Sequence, residues 1–184
     1  MYRLNLFLCF YFVFLLLASC TEMSTHNLSI TAEDGGLLQT DSEAYGAEVF
    51  QNPWHGVHFD IPYTITNSTD EVVYMIGCKR PAAPVLQKRV NGEWASAYSA
   101  VEQLCLSPPF IVKPGGQHQD TLRVYGIFPG QNAFPQFLTE VEGEYRLKKN
   151  IYSNPDTFKD SENWNEQLLP DELRISNSFY VREK

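Results

Sequence analysis

Two histidines three residues apart, His55 and His58, have a side-chain type and a spacing that could bind a metal ion. On a helix this spacing would place both imidazoles on one face. The flanking residues alternate between apolar and polar instead, which is typical of a strand, and in a strand a spacing of three directs side chains to opposite faces. We therefore expect no shared metal ion at this pair.

Carboxylates are concentrated in a long polar stretch, residues 152–171, where they could hold calcium: Asp156, Asp160, Glu162 and Asp171. The ligand spacing of an EF-hand is absent from this stretch. The nucleophile elbow, the phosphate-binding loop and the zinc-protease and dinucleotide-binding motifs are also absent from the chain. The sequence predicts a solvated acidic loop, with no metal, no cofactor and no enzymatic activity.

Aromatic side chains occur in two segments that have the composition of loops. Three phenylalanines share a Pro- and Gly-rich segment and a tryptophan lies in the acidic stretch, giving four candidate partner-binding residues: Phe128, Phe134, Phe137 and Trp164. Loops on a rigid scaffold often carry binding residues, and aromatic side chains are effective anchors. The alternative is that these rings close the ends of the hydrophobic core.

The first twenty residues have the layout of a secretory signal peptide, with Arg3, an apolar run from Leu4 to Leu17, and small residues before Cys20. The segment Leu17-Ala18-Ser19-Cys20 resembles the lipobox of bacterial lipoproteins. This resemblance implies a signal peptide over residues 1–19, cleavage before Cys20 and a lipid on its thiol. It also implies anchoring in the cell envelope, at the outer membrane if the cell has two, because Thr21 rather than Asp follows. A transmembrane helix, which needs about 20 apolar residues, is the disfavoured alternative.

Once Cys9 leaves with the signal and Cys20 carries lipid, Cys78 and Cys105 remain. In an oxidising exported compartment two remaining cysteines most simply form one disulfide, which would add roughly 3.5 kcal/mol of stability. A reactive thiol or a metal pair is the alternative. Neither cysteine belongs to a CxxC motif or has a histidine nearby in sequence, which disfavours that alternative.

The charge balance limits the classes of partner. The chain has 14 Lys and Arg against 22 Asp and Glu, a formal net charge of −8. Such a surface repels phosphate backbones, so we expect no nucleic-acid partner. A hydrophobic content of 43% with 14% aromatic residues supports a sizeable core.

Short strands separated by turn signals fill the chain after a polar segment, residues 20–46, which predicts a lipidated flexible tether. Odd-numbered apolar residues from Val57 to Ile65 predict a strand with one buried face, and Pro62 predicts an edge or a bulge there. Asn91-Gly92 predicts a two-residue hairpin. Further strands are expected over 72–76, 143–147 and 176–182, within a domain spanning residues 47–184.

The order of these features resembles the immunoglobulin-like domains of many bacterial lipoproteins. The shared features are the turn at 67–69, Cys78, the Asn91-Gly92 hairpin, Cys105, the turn at 114–116, Tyr145 after Gly143, and the closing strand. The resemblance implies an all-β fold, a single antiparallel sandwich of seven or eight strands, with Tyr145 as its tyrosine corner. It departs at Leu147, where true immunoglobulin domains have cysteine.

These observations predict a membrane-anchored exported lipoprotein that acts as a non-enzymatic binding or structural module of the cell envelope. Its partners would be the membrane, through the N-terminal lipid, and an unknown protein or envelope component. A proteinase inhibitor presenting the loop at 128–137 is one alternative. An envelope hydrolase with an unrecognised site is the other.

Overall fold

The computed structural model describes residues 36–99, 107–154 and 167–184. Over these ranges the chain forms strands and one short helix: β1 Leu38–Thr40, β2 Ala44–Phe50, β3 Gly56–Thr66, β4 Val73–Met75, β5 Val85–Val90, β6 Glu93–Ser96, β7 Tyr98–Ser99, β8 Phe110–Val112, β9 Gln117–Ile127, β10 Gln136–Phe137, β11 Gly143–Lys148, α1 Asp171–Arg174 and β12 Phe179–Glu183. The predicted all-β class is confirmed.

Ten strands form one curled sheet in the order β6-β5-β11-β12-β2-β3-β9-β10-β7, with β1 added beside β3. Strands β4 and β8 form a separate two-stranded sheet. Two pairs, β12 with β2 and β10 with β9, run parallel, so the sheet is mixed rather than antiparallel as predicted. The described strands also outnumber the predicted seven or eight, because several of them are only two or three residues long.

Strand β2 belongs to both halves of this sheet. Its first residues, Ala44 to Ala47, pair with β12, while Glu48 to Phe50 pair with β3. The sheet therefore curls around a single core that takes side chains from both halves.

The buried face of β3 matches the alternation in the sequence. Its odd-numbered side chains from Val57 to Ile65 are each no more than 4% exposed. From the other half of the sheet, β11 and β12 contribute Tyr145, Leu147 and Phe179 to the same core. Burial of these large side chains is the main force that holds the sheet closed.

Pro62 lies inside the sheet rather than at an edge. On one side β3 pairs along its whole length with β9. On the other side its pairing with β1 ends at Tyr63 and its pairing with β2 begins at His58, so Pro62 lies in the gap between them. A residue without an N–H group fits this gap because no neighbouring strand requires a donor there.

The hairpin and the tyrosine hydrogen bond have the expected local geometry. Asn91 and Gly92 have φ values of 53° and 89°, as a type I′ turn between β5 and β6 requires. The hydroxyl of Tyr145, which is fully buried, donates to the carbonyl of Val141 four residues upstream. This contact ties the start of β11 to the preceding loop.

The folded part of the chain begins earlier than predicted. Residues 38–46, assigned to the tether by their polar composition, include β1 and the first part of β2. Leu37 and Leu38 are 1% and 0% exposed, and the Leu37 N–H donates to Leu173 O at 2.9 Å. Pairing with β3, distant in sequence, overrides the weak local signal.

Among the described residues, no helix has the length and apolar character needed to cross a membrane.

Candidate partner-binding surface

Two loops meet at one end of the curled sheet. Residues 51–55 join β2 to β3, and residues 128–135 join β9 to β10. They are neighbours because Gly56 at the start of β3 pairs with Ile127 at the end of β9. A backbone hydrogen bond links them directly, from Phe128 N–H to His55 O at 3.0 Å. Another, from Ile127 N–H to Pro135 O at 3.0 Å, closes the second loop on the end of β9.

Gln131 fastens the second loop to the first. Its side-chain amide donates to His55 O at 2.6 Å, and its carbonyl oxygen accepts from His55 N–H at 3.1 Å. The His55 ring also packs on Phe128, with centroids 4.5 Å apart. These contacts fix the relative positions of the two loops, so a partner would meet an ordered surface.

Three large aromatic side chains are exposed at this end: Trp54 at 45%, Tyr125 at 51% and Phe134 at 67%. Phe50 at the end of β2 stacks on Tyr125, with ring centroids 4.5 Å apart and planes within 10°. We call Phe50, Trp54, Tyr125 and Phe134 the aromatic surface. Several large apolar rings exposed at one end of a sheet are typical of a site for another molecule.

Gly56 makes the stack of Phe50 on Tyr125 possible. A Cβ atom at this position would lie 2.6 Å from Phe50 Cζ and 2.5 Å from the carbonyl oxygen of Gly126. Any side chain here would displace the Phe50 ring or separate the strands. The packing at Gly56 therefore sets the shape of the aromatic surface.

The predicted candidates fall in different environments. Phe134 is exposed, whereas Phe128 is half-buried against the core. Phe137 is 1% exposed and its ring lies over Gly126, where an added Cβ would be 2.7 Å from it. The alternative that the ring closes the core therefore holds for Phe137, which we exclude from the surface.

Trp164 lies outside the described residues. Trp54 and Tyr125 were missed as candidates. The signal for Trp54 was present, because a tryptophan after Gln51-Asn52-Pro53 follows turn residues rather than a buried strand pattern.

The histidines at positions 55 and 58 take separate roles. His55 precedes β3 and is held by Gln131, whereas His58 lies in β3 and its Nε2 is 3.2 Å from Glu48 Oε2. Within the described ranges, no three His, Cys, Asp or Glu side chains converge as metal ligands do. Glu48 and His58 lie beside the aromatic surface, since His58 pairs with Tyr125 across β3 and β9.

A buried lysine, Lys149, follows directly after β11 and lies away from this surface. It is 2% exposed and its ammonium donates to the carbonyl of Ala82. Burial lowers the pKa of Lys149 to about 8, an effect that the nearby Asp120 carboxylate opposes. Asp120 also accepts from the hydroxyl of buried Tyr63 at 3.3 Å, and burial together with this carboxylate raises the pKa of that tyrosine. These groups are packed inside the fold, so we assign them to stability rather than to a binding site.

The cysteine predictions are only partly within the described residues. Cys78 is disulfide-bonded. Cys105 and Cys20 lie outside the described ranges, so the pairing of Cys78 with Cys105 and the lipid on Cys20 stay predictions.

Comparison with known proteins identifies no family. No protein-family model and no curated protein sequence matches the chain. One solved structure similar to it is the Pseudomonas fluorescens alkylpurine DNA glycosylase AlkC, bound to DNA that contains an abasic site analog. The match has 8% identity and a TM-score of 0.35, and covers 81% of this chain. The chain spans about a third of that protein, with 31% covered.

The sequence predicted a membrane-anchored exported lipoprotein of the cell envelope, with an inhibitor and an envelope hydrolase as alternatives. The structural match reported above is to a DNA glycosylase and not to an envelope lipoprotein, and the prediction is not carried forward. The likeness is too low to bring the glycosylase's own activity to this chain.

Proposed function

We propose that this chain recognises a protein partner through the aromatic surface. The observation that carries the proposal is the exposure of Trp54, Tyr125 and Phe134 at one end of the sheet. The two loops that carry Trp54 and Phe134 are held together by hydrogen bonds between Gln131 and His55. Burial of large apolar rings is favourable in free energy, and rings exposed to water do not contribute this stabilisation. Association with a partner would bury them and provide it.

The well-defined conformation of the two loops supports the same proposal. Binding normally costs conformational entropy when loops and side chains become fixed. Here the Gln131 contacts and the stack of Phe50 on Tyr125 supply much of that order before a partner arrives. Exposed aromatic residues on an ordered scaffold are common binding hot spots.

We also propose that the curled sheet is a variant of the immunoglobulin-like sandwich. The parallel pairing of the last strand, β12, with β2 supports this, as does the hydrogen bond from Tyr145 to Val141. In such sandwiches binding loops cluster at the ends, as the loops at 51–55 and 128–135 do. The missing cysteine at Leu147 and the parallel β10 are departures from that plan.

A capture experiment with matched variants tests the proposed function. The full chain and the variants Trp54→Ala, Phe134→Ala and Tyr180→Ala are immobilised in equal amounts and exposed to extract from the source cells. Tyr180 is the control because it is 43% exposed but lies on β12.

The expected result is a protein retained by the wild type and by Tyr180→Ala but lost with the two surface variants. Purified, that protein should bind each surface variant about 30-fold more weakly, the effect of losing one hot-spot residue worth about 2 kcal/mol. Equal affinity for all four chains would show that the aromatic surface is not the binding site.

A further inference from the structure

The charge distribution around the aromatic surface narrows the chemistry of the partner proposed above. No lysine or arginine occurs between residues 4 and 78, or between residues 124 and 145. These stretches contain both loops of the surface and the whole of β2, β3 and β10. The positive charges of the chain are therefore absent from the segments that build this end of the sheet.

Carboxylates lie on the strands that carry the rings. Glu48 is two residues before Phe50 on β2, and Asp60 is two residues after His58 on β3, so each points to the same face as its neighbour. The Glu48 side chain is 61% exposed and its partner His58 is 51% exposed. Arg123, which pairs with Asp60 across the sheet, is the nearest cationic residue of β9. The Lys184 side chain, which lies over Gly46 on β2, is a second cation of this face. The attraction for a cationic group at the rings therefore comes from the exposed carboxylate of Glu48 and from the rings themselves.

The rings of this surface differ in their contacts from the rings of Trp94 and Tyr180. Elsewhere in the described residues arginines cover aromatic faces: Arg146 lies 4.4 Å from the Trp94 centroid and Arg182 lies 5.4 Å from the Tyr180 centroid. No such contact with a described cation covers Trp54, Tyr125 or Phe134. The electron-rich faces of these rings attract cations.

We infer that the partner presents a cationic segment, rich in arginine or lysine beside apolar residues, to the aromatic surface. The apolar residues would pack on Phe134, and the cationic groups would lie over Trp54 and Tyr125 and near Glu48. This inference rests on the proposed function, because it names the chemistry of the partner at that site. A formal net charge of −8 would steer such a segment toward the chain.

A peptide selection tests this inference and does not require the partner to be identified first. A displayed library of random peptides, about 12 residues long, is selected on the full chain at low salt, where attraction between charges is strongest. The most enriched peptide is synthesised together with a matched form in which each arginine and lysine is replaced by glutamine. Affinities are measured by fluorescence anisotropy against the wild type, Trp54→Ala, Phe134→Ala, Glu48→Gln and Tyr180→Ala.

We expect enriched peptides to contain arginine or lysine and to bind Tyr180→Ala as tightly as the wild type. Trp54→Ala should weaken binding about tenfold or more, and Glu48→Gln about threefold, as loss of a cation–π contact and of one exposed charge predicts. The glutamine form of the peptide should bind at least about tenfold more weakly, and added salt should weaken the parent peptide.

The two proposals fail in different ways. Neutral or acidic peptides that nevertheless require Trp54 and Phe134 would overturn the cationic chemistry and leave the proposed function standing. If no recovered peptide depends on Trp54 and Phe134, the aromatic surface is not a peptide-binding site and both proposals are wrong.

Discussion

Asn67 organises the turn after β3 with one buried side chain. It is 0% exposed, and its amide nitrogen donates to Glu71 O at 2.7 Å and Val112 O at 2.9 Å. Its carbonyl oxygen accepts from the backbone N–H of Thr69 at 3.1 Å and from the hydroxyl of the same residue at 2.7 Å. All the side chain's hydrogen-bonding groups are therefore satisfied without water, and an aspartate could not replace its two donors.

Replacing Asn67 with Asp should lower the free energy of unfolding by about 3 kcal/mol, because two buried carbonyl groups lose their donors and face a carboxylate. Urea denaturation followed by tryptophan fluorescence measures the change. Ser68→Ala, at an exposed neighbour, is the control and should stay within about 0.5 kcal/mol of the wild type. A stable Asn67→Asp protein would mean that this turn has little effect on stability.

Phe134 and Phe137 lie three residues apart, but their replacement by alanine should affect stability very differently. Phe137→Ala removes a ring that is 1% exposed, so unfolding should become easier by about 3–5 kcal/mol. Phe134→Ala removes a ring that is 67% exposed, so the melting temperature should change little. Thermal unfolding by circular dichroism distinguishes them, and a large loss of stability in Phe134→Ala would place that ring in the core.

At the scale of elements, the strands and turns that are determined by a few consecutive residues could be predicted from the sequence. The alternation from Val57 to Ile65 predicted β3, and Asn91-Gly92 predicted the hairpin, because periodicity and positive φ are local properties. Strand β1 was missed because three residues are too few to show a period and its stability comes from pairing with distant β3.

The aromatic surface could be predicted only in part, because the exposure of its rings depends on contacts between different strands. A loop composition identified Phe134, but the sequence could not separate it from Phe137. The burial of Phe137 depends on the missing side chain at Gly126, eleven residues earlier, which becomes its neighbour only in the folded sheet. Exposure of Tyr125 likewise follows from its outward register on β9, next to Phe50 of another strand.

The position of β1 gives a test of where the folded domain begins. A chain shortened to start at Ala47 loses Leu37 and Leu38, each almost fully buried, and the pairing of β1 with β3. We expect it to lose more than about 4 kcal/mol of stability, since burial of each leucine is worth at least about 2 kcal/mol. A chain that starts at Gly36 serves as the control. Equal denaturation midpoints for the two chains would show that residues 36–46 do not stabilise the domain, as the prediction of a tether up to residue 46 requires.

For the whole molecule, buried Lys149 should make stability depend on pH. Burial lowers its pKa from 10.5 to about 8, so between these values the unfolded chain holds a proton that the folded chain has released. Stability should therefore rise with pH above about 8, by about 2 kcal/mol at pH 9.5. Above about pH 10 the buried tyrosines, whose pKa values are raised, reverse the trend because they ionise more easily in the unfolded chain.

Urea denaturation at a series of pH values from 7 to 9.5 measures this dependence. In Lys149→Met the rise should largely disappear, leaving the smaller contribution of Lys88, whose pKa burial also lowers. An unchanged slope in Lys149→Met would assign the dependence to other groups.

Because β2 is hydrogen-bonded to β12 along one part and to β3 along the other, separation of the two halves of the sheet would break one pairing of β2 and expose their shared core. The protein should behave as a single cooperative unit, with one calorimetric transition. Amide protons of β3 and β11, on opposite sides of β2, should exchange with solvent through the same global opening. A partner that holds the end of β2 at Phe50 would then slow exchange throughout the sheet, including strands that it does not touch.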